Sequence, residues 1–465
     1  MKRCCILVPA MAALLCLVPA LWAQEDDWGD DDIGFAEGVP DRKETRAAQD
    51  WTGFWHTELG LWSRRWGDNP LAKFRNTLNL TYRHRFQRFR VKADLHGEYD
   101  AAYRHDRDDY DRETLDIYES QLRFGELFVA YETSDWEVVL GREVVTWGEG
   151  DLLSPLDAPF PKDQREPGLA LPEDLRLPQV GLRVGWTGTK TRMEAHVFPV
   201  AQYGYRPGIT SDFSPFTGVL PMLGDVGPEL SFRHEPTTSE WGEPQVAGRF
   251  AFEGPHHDFS LYLGRLVRQE GTLAGVVQDP VARSVAFVLD HERHWLLGAA
   301  GSTAKGSWLW KWELAHEWDR PYQSDTYVGL LPGTETAAVS SALVSLTHSG
   351  FRDTHIQVEL QKSVFSDETG ADPLFPEDRM QTALRLRRTA LRDDLSMDLI
   401  GLAVGDRAQY GWLARLALEY RISQDWQISA GYAAYGEPEG SRLGLFLGFD
   451  RHDRITLGLR RDFGF

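Results

Sequence analysis

Catalysis needs side chains held at fixed separations, and this chain offers few such sets. His291-Glu292-Arg293-His294 carries two histidines and a carboxylate, the ingredients of zinc hydrolysis. Its histidines stand three apart, whereas the metalloprotease helix sets them four apart, and in a strand they would point to opposite faces. His256-His257-Asp258 offers a base and an acid to orient it, yet it reads as a tight hairpin turn with no nucleophile in register. The acidic run Asp367-Glu368-Thr369-Gly370-Ala371-Asp372 has oxygen ligands for calcium at an outer loop, but not the full calcium-loop spacing. Neither a G-x-S-x-G elbow nor a phosphate-binding glycine loop occurs.

Two charge patterns are more informative. The first is an insert at residues 148–177, between the alternating stretches Val138-Val139-Leu140-Gly141-Arg142 and Val180-Gly181-Leu182-Arg183-Val184. It carries Glu149, Asp151, Asp157, Asp163, Glu166, Glu173 and Asp174 against Lys162, Arg165 and Arg176. Its five prolines, at 155, 159, 161, 167 and 172, each fix one torsion and remove one N–H donor, so it can be rigid without being regular. A rigid, charged insert between two strands is a candidate constriction or lid; the alternative is an ordinary surface loop. The second pattern is a set of cations in phase with polar neighbours: Arg83, Arg85, Arg90, Lys92, Arg385, Arg387, Arg415 and Arg460. Counted from Leu80, Val91, Leu384, Leu416 and Leu459, they fall on the face away from the apolar residues. Lining a lumen, they form a basic wall opposed by the acidic insert, which sets a transverse field; alternatively, inward charges simply pair with each other.

The elements that must position these groups are strands. Met1 to Ala23 has a basic start, an apolar run and a small residue before Gln24-Glu25-Asp26-Asp27, as a secretory signal peptide does. Cys4, Cys5 and Cys16 all lie within it, so the remaining chain has no thiol for disulfides, zinc-thiolate sites or thiol catalysis. The 70 acidic residues outnumber the 50 basic ones, two of which belong to the leader, and nucleic acid is excluded as a partner. Residues 24–50 are acidic and poor in apolar side chains and read as a disordered periplasmic tail. After the leader no apolar run is long enough for a spanning helix. From Trp51 to Phe465 segments of eight to thirteen residues alternate apolar with polar and are separated by turns, including Leu443 to Phe449 and Ile455 to Phe465. They match tilted membrane-spanning strands, and closure leaves no unpaired edge in lipid. The pattern predicts an all-β fold: a single transmembrane antiparallel β-barrel over 51–465 of about eighteen to twenty strands with long outer loops. The apolar run Ser284 to Leu289 decides between nineteen and twenty. Tryptophans 51, 55, 62, 66, 136, 147, 295, 318 and 426 fall near segment ends, as an interfacial girdle requires. The long-loop and tight-turn rhythm is clear in the first half and breaks in the second.

Gly141-Arg142, Trp147-Gly148-Glu149, Asp151, Asp157, Pro161, Asp163-Gln164-Arg165-Glu166 and Glu173-Asp174-Leu175-Arg176-Leu177-Pro178 resemble the signature of an uncharacterised Gram-negative outer-membrane barrel family, a domain of unknown function. That family is distantly similar to alginate-export-type porins. The resemblance implies a passive conduit without cofactor, working in some members beside RND-type exporters of hydrophobic molecules. The expected location is the outer membrane, with its lipids as partners, and the terminal strand with Leu457, Leu459, Phe463 and Phe465 on one face resembles the signal read by the barrel assembly machinery. A membrane-embedded phospholipase or acyltransferase, and an adhesin or sheath, are the competing readings.

Overall fold

A computed structural model describes residues 50–65, 69–157, 159–170, 172–214, 229–235, 244–279, 281, 283–328, 331–366, 379–440 and 446–464. The expected signal peptide, nearly all of the acidic tail, Trp66, the run Asp367 to Asp372 and Phe465 lie outside these residues.

Period-two alternation produces strands throughout. In chain order they are β1 (Trp51–Trp62), β2 (Leu71–Phe86), β3 (Phe89–Asp100), β4 (Ser120–Glu132), β5 (Trp136–Glu143), β6 (Gln179–Thr187), β7 (Thr191–Phe198), β8 (Glu229–Glu235), β9 (Gln245–Glu253), β10 (His257–Val267) and β11 (Thr272–Asp279). They continue with β12 (Ser284–Asp290), β13 (Arg293–Lys305), β14 (Trp308–Val328), β15 (Leu331–Phe351), β16 (Thr354–Ser366), β17 (Gln381–Ala390), β18 (Leu395–Val404), β19 (Trp412–Arg421), β20 (Trp426–Gly436) and β21 (Arg454–Gly464). Eighteen of them form one sheet, each antiparallel to its neighbours. It closes where β1, paired with β2 through Trp55 and Leu78, also pairs with β21 through Trp55 and Arg461. Closure gives every strand two partners, the condition for crossing lipid without an exposed edge.

The alternation sorts the two faces. On β14, Trp308, Trp310, Leu314 and Trp318 are exposed outward, Trp310 by 49%, while Glu313, Ala315 and Glu317 are buried on the lumen side, Glu313 at 0%. Two of the expected girdle residues are not in a girdle: Trp62 and Trp147 are buried inside the barrel, each 2% exposed.

The turns after β2, β4, β6, β9, β13, β15, β17 and β19 are short and lie at one end together with the start of β1 and the end of β21. The rhythm of long and short connections therefore persists through the second half except between β14 and β15, whose pairing runs on to Val328 and Leu331 at the long-loop end. It was hidden because additional strands are built into the long loops. Ser284–Asp290 is a strand, but not of the barrel: β12 pairs antiparallel with β11 and parallel with β8, forming a separate three-stranded sheet from two different loops. The expected strand over Leu443 to Phe449 is also corrected. Its described part is turn, and Phe446 and Phe449 pack on Tyr435 and Phe213 in the interior. The long loop after β3 holds two short helices, α1 (Ala101–His105) and α2 (Arg112–Tyr118). Asp111 caps α2 by accepting the Thr114 N–H at 2.9 Å, and its other oxygen accepts the Thr210 hydroxyl at 2.5 Å. Glu113 accepts the Phe232 N–H of β8 at 2.9 Å, so the long loops are tied to one another.

Two histidines latch the loop sheet. His291 donates from Nδ1 to the Arg268 carbonyl at 2.7 Å, so its Nε2 accepts from His234 Nδ1 at 2.8 Å, with Tyr203 stacked 3.7 Å from the His291 ring. Burial pushes His234 down to about 4, helped by the Arg206 charge. Burial likewise pushes His291 down to about 3, helped by His234, Arg206 and Arg268. Both pKa values are depressed, so the latch is whole above the ordinary histidine value near 6.5, weakens as pH falls through it and levels off at about 3. Hydrogen exchange at 284–292, corrected for intrinsic rates, is expected to be faster at pH 5 than at pH 7.5 while barrel strands stay protected. Equal protection at the two pH values would contradict the latch.

Candidate functional site

Between β5 and β6 the segment 144–178 runs inside the barrel. Irregular backbone in that position must find partners for its N–H groups, because it has no strand neighbour to supply them. The wall supplies carboxylates. Glu313 of β14 accepts the N–H groups of Glu149 and Gly150, each at 2.6 Å, and the N–H of Leu156 at 3.3 Å. The Ser154 hydroxyl donates to it at 2.9 Å. Glu359 of β16 accepts from Asp151, Leu152 and Leu153 at 2.9, 3.1 and 2.7 Å. Hydrogen bonds to an ionised acceptor are roughly twice as strong as neutral ones. Lys311 of β14 and Gln357 of β16 then hold the Asp151 carboxylate at 3.1 and 2.5 Å.

Local sequence lets the chain make this turn. Gly148 sits at φ +86°, and a Cβ there would lie 2.4 Å from Ser154 Oγ and 2.5 Å from Glu313 Oε1. On either side of the turn Trp147, Leu156 and Phe160 bury themselves against Tyr262, Leu296, Ala300 and Ala315 of the wall. The apolar half of the segment is thus fixed on β10, β13 and β14.

Its charged half is fixed on the other side. Arg165 donates to Glu98 of β3 at 2.7 Å, to the Ile117 carbonyl at 2.5 Å and, twice, to Asp163. Tyr118 of α2 donates to the Arg165 carbonyl at 2.7 Å. Burial works against the Arg165 charge, but the Asp163 bond and the Asp163 and Glu98 charges outweigh it and push the pKa above its ordinary value. Glu166 takes Lys73 at 2.5 Å and Arg75 at 3.1 Å, both on β2. Burial would raise its pKa, yet Arg75, Lys73 and Arg454 hold it well below the usual carboxylate range. Tyr435 of β20 donates to the Pro167 carbonyl at 2.8 Å. Asp157 takes Arg176 at 3.1 Å and Lys162 at 3.0 Å, bonds that stay within the segment. The Glu149 carboxyl is raised by burial, with Lys311 and Arg249 acting in the opposite sense.

A cavity of about 330 Å³ remains between this charged half and the wall of β1, β2 and β19 to β21. Asp163, Arg165, Glu166 and Asp174 of the insert line it, and so do Arg415 and Arg460. The other sequence-designated cations are elsewhere. Arg83, Arg85, Arg90 and Lys92 lie on β2 and β3 toward the short-turn end, with Arg83 opposite Lys92 and Arg85 opposite Arg90. Nor do the eight cations make one continuous basic wall, because most are neutralised in place. Arg85 and Arg90 share Glu132 at 2.8 and 2.6 Å, Arg90 also binds Glu137 at 2.6 Å, and Lys92 binds Glu126. Arg385 and Arg387 share Asp398 at 2.6 and 3.8 Å, and Arg460 holds Asp462 at 2.9 Å. Charges of both signs meet instead at the cavity.

Sequence reading missed the groups that do the anchoring: Glu313, Glu359, Glu98, Lys73 and Arg75. A visible trace exists in Trp310-Lys311-Trp312-Glu313-Leu314-Ala315, where a single acid alternates with large apolar residues. Such an acid must face the lumen, though nothing local says what it holds. Among the described residues no group of three or more His, Cys, Asp or Glu is arranged to hold a metal ion.

By fold the chain is similar to porins of solved structure. OccAB4 of Acinetobacter baumannii aligns at 10% identity with a TM-score of 0.50, covering 91% of this chain and 100% of that one. OccK2 (OpdF) of Pseudomonas aeruginosa aligns at 12% identity, TM-score 0.48, covering 89% and 97%. A BenF-like porin from Pseudomonas fluorescens Pf-5 aligns at 9% identity, TM-score 0.49, covering 89% and 98%. No curated protein matches by sequence. The family model described as "Protein of unknown function (DUF1302)" matches residues 67–460, which is most of the barrel and all of the insert. The chain therefore belongs to that family, and its architecture is a closed eighteen-stranded barrel of the outer-membrane kind.

Proposed function

We propose that the protein is a passive outer-membrane conduit for small polar or amphipathic solutes, and that segment 144–178 is its built-in constriction. One observation carries the reading: the segment is bonded to opposite sides of the lumen wall. Glu313 and Glu359 hold its first half, and Lys73, Arg75 and Glu98 hold its second. A lid that swings with each passage would have to break these bonds together, at roughly 1.5–3 kcal/mol for each one made to a charged group. On this reading the segment stays put and solutes pass beside it, through the cavity where Glu166, Asp163 and Asp174 face Arg415, Arg454 and Arg460. Charges of both signs across a narrow wet passage select for charge and dipole. In this scheme residues 1–23 direct export, the barrel assembly machinery inserts residues 51–465, and the acidic tail of 24–50 remains in the periplasm.

Deleting Asp151 to Glu173 is expected to raise single-channel conductance in planar bilayers several-fold and to reduce ion selectivity. The barrel should still migrate faster unboiled than boiled on a gel. Folded barrels with unchanged conductance and selectivity would rule the segment out as the constriction.

Glu359→Gln tests the anchor itself. An amide side chain has one acceptor oxygen and no charge for the three N–H groups of residues 151–153, so the expected loss is roughly 1.5–3 kcal/mol. Amide exchange over 149–156 should accelerate, and open-channel current noise should increase. Full protection in the variant would show that the carboxylate is dispensable.

A further inference from the structure

The cavity beside the constriction contains an unfilled place for an anion. Arg415 of β19 and Arg454 of β21 stand in one row on either side of Ala433 of β20, each directly opposite it in the strand register. Both line the cavity, and in that row only the methyl group of Ala433 stands between their side chains. Arg454 is 1% exposed, and its Nε and Nη2 have no hydrogen-bond acceptor among the described residues. Glu166 is 3.9 Å from Nη2, beyond hydrogen-bond reach, and is already taken by Lys73 and Arg75. The guanidinium is held in place by ring faces instead, 5.3 Å from Trp62 and 5.1 Å from Phe213. Arg415 makes no hydrogen bond or ion pair with any described residue. Buried donors left empty are costly, and those of Arg454 are left so beside the half-buried, unbonded Arg415.

Charge fixes the kind of occupant. Of the six cations lining the cavity, Lys73 and Arg75 are taken by Glu166, Arg165 by Glu98 and Asp163, and Arg460 by Asp462, which leaves Arg415 and Arg454 without a hydrogen-bonding carboxylate. Glu58, Glu166 and Glu419 line the same space and repel a dianion more than a monoanion. A guanidinium's fork of N–H donors matches the two oxygens of a carboxylate. Ser429 and Thr456 hydroxyls and the apolar Leu169 and Ala170 line the rest of the space, as a short polar chain attached to that carboxylate would need. We infer that Arg415 and Arg454 form a seat for the carboxylate of a small monoanionic organic solute. This deepens the conduit reading, on which it rests, by giving the passage a binding station.

The test uses the full chain refolded in detergent and titrated calorimetrically with gluconate, with sorbitol, which has the same carbon chain without the carboxylate, and with sorbitol 6-phosphate. Gluconate is expected to bind, sorbitol to give no heat, and the phosphate ester to bind more weakly than gluconate. Arg415→Gln should weaken gluconate roughly ten-fold or more and Arg415→Lys should restore part of the loss. Arg415 makes no internal bond, so this variant should fold; Arg454→Gln is read only after unboiled gel migration shows a folded barrel. Gluconate binding unchanged by Arg415→Gln, or heats for gluconate and sorbitol that cannot be told apart, would overturn the seat. Tighter binding of the phosphate ester would overturn the carboxylate assignment. Conductance in bilayers separates the two readings: current without gluconate binding removes the seat and leaves the conduit, and binding without current does the reverse.

Discussion

The interior of this barrel depends on carboxylates that accept main-chain N–H groups. An eighteen-stranded wall encloses more space than inward side chains can fill, and something must occupy it or leave it wet. The chain occupies it with an irregular segment whose amides would otherwise be stranded. Glu313 and Glu359 turn toward the lumen because strand alternation sends Trp312, Leu314, Val358 and Leu360 outward. There they gather the amides of residues 149–153 and 156 as the edge of a sheet would, but without requiring an extended backbone. The position of the cavity follows, since the charged half of the segment can reach β2 and β3 only once the apolar half is pinned opposite.

Most of the architecture was legible because lipid enforces a strict period. A one-residue slip on β14 would move Lys311, Glu313 and Glu317 into the membrane, so the outward Trp308, Trp310 and Leu314 fix the whole strand. What sequence could not reveal was partnership. Ser284–Asp290 was visible as an apolar strand, but such a run does not declare its neighbours, and β8 lies across another loop. Leu443 to Phe449 has the alternation of a strand, yet its phenylalanines are used against Tyr435 and Phe213, a contact made only after closure. Trp62 and Trp147 lie at segment ends as girdle residues do, but both face inward.

The site was legible to a similar depth. The prolines and acids of 148–177 mark a built segment, and phase alone puts the arginines on the lumen side. Whether an inward arginine is free or neutralised is decided by which side chains stand beside it, and most of those partners are on another strand. Arg85 of β2 and Arg90 of β3 both meet Glu132 of β4, while Arg415 stands between Ile400 and Ala433, whose side chains accept no hydrogen bond. Two side chains of the same type and phase thus end with opposite availability.

The wall grips the first half of the insert largely by its main chain, and a main-chain amide is the same whichever side chain it carries. Side chains there that make no contact of their own with the wall are therefore open to replacement without loosening the hold, provided Gly148 and Ser154 keep the turn and Trp147, Asp151, Leu156 and Phe160 keep their places. Permeation properties and foldability are in this way assigned to different atoms. Such a division suits a scaffold whose lineage must change what it admits, and it gives a designer a framework in which the filter can be rewritten while the fastening is left alone.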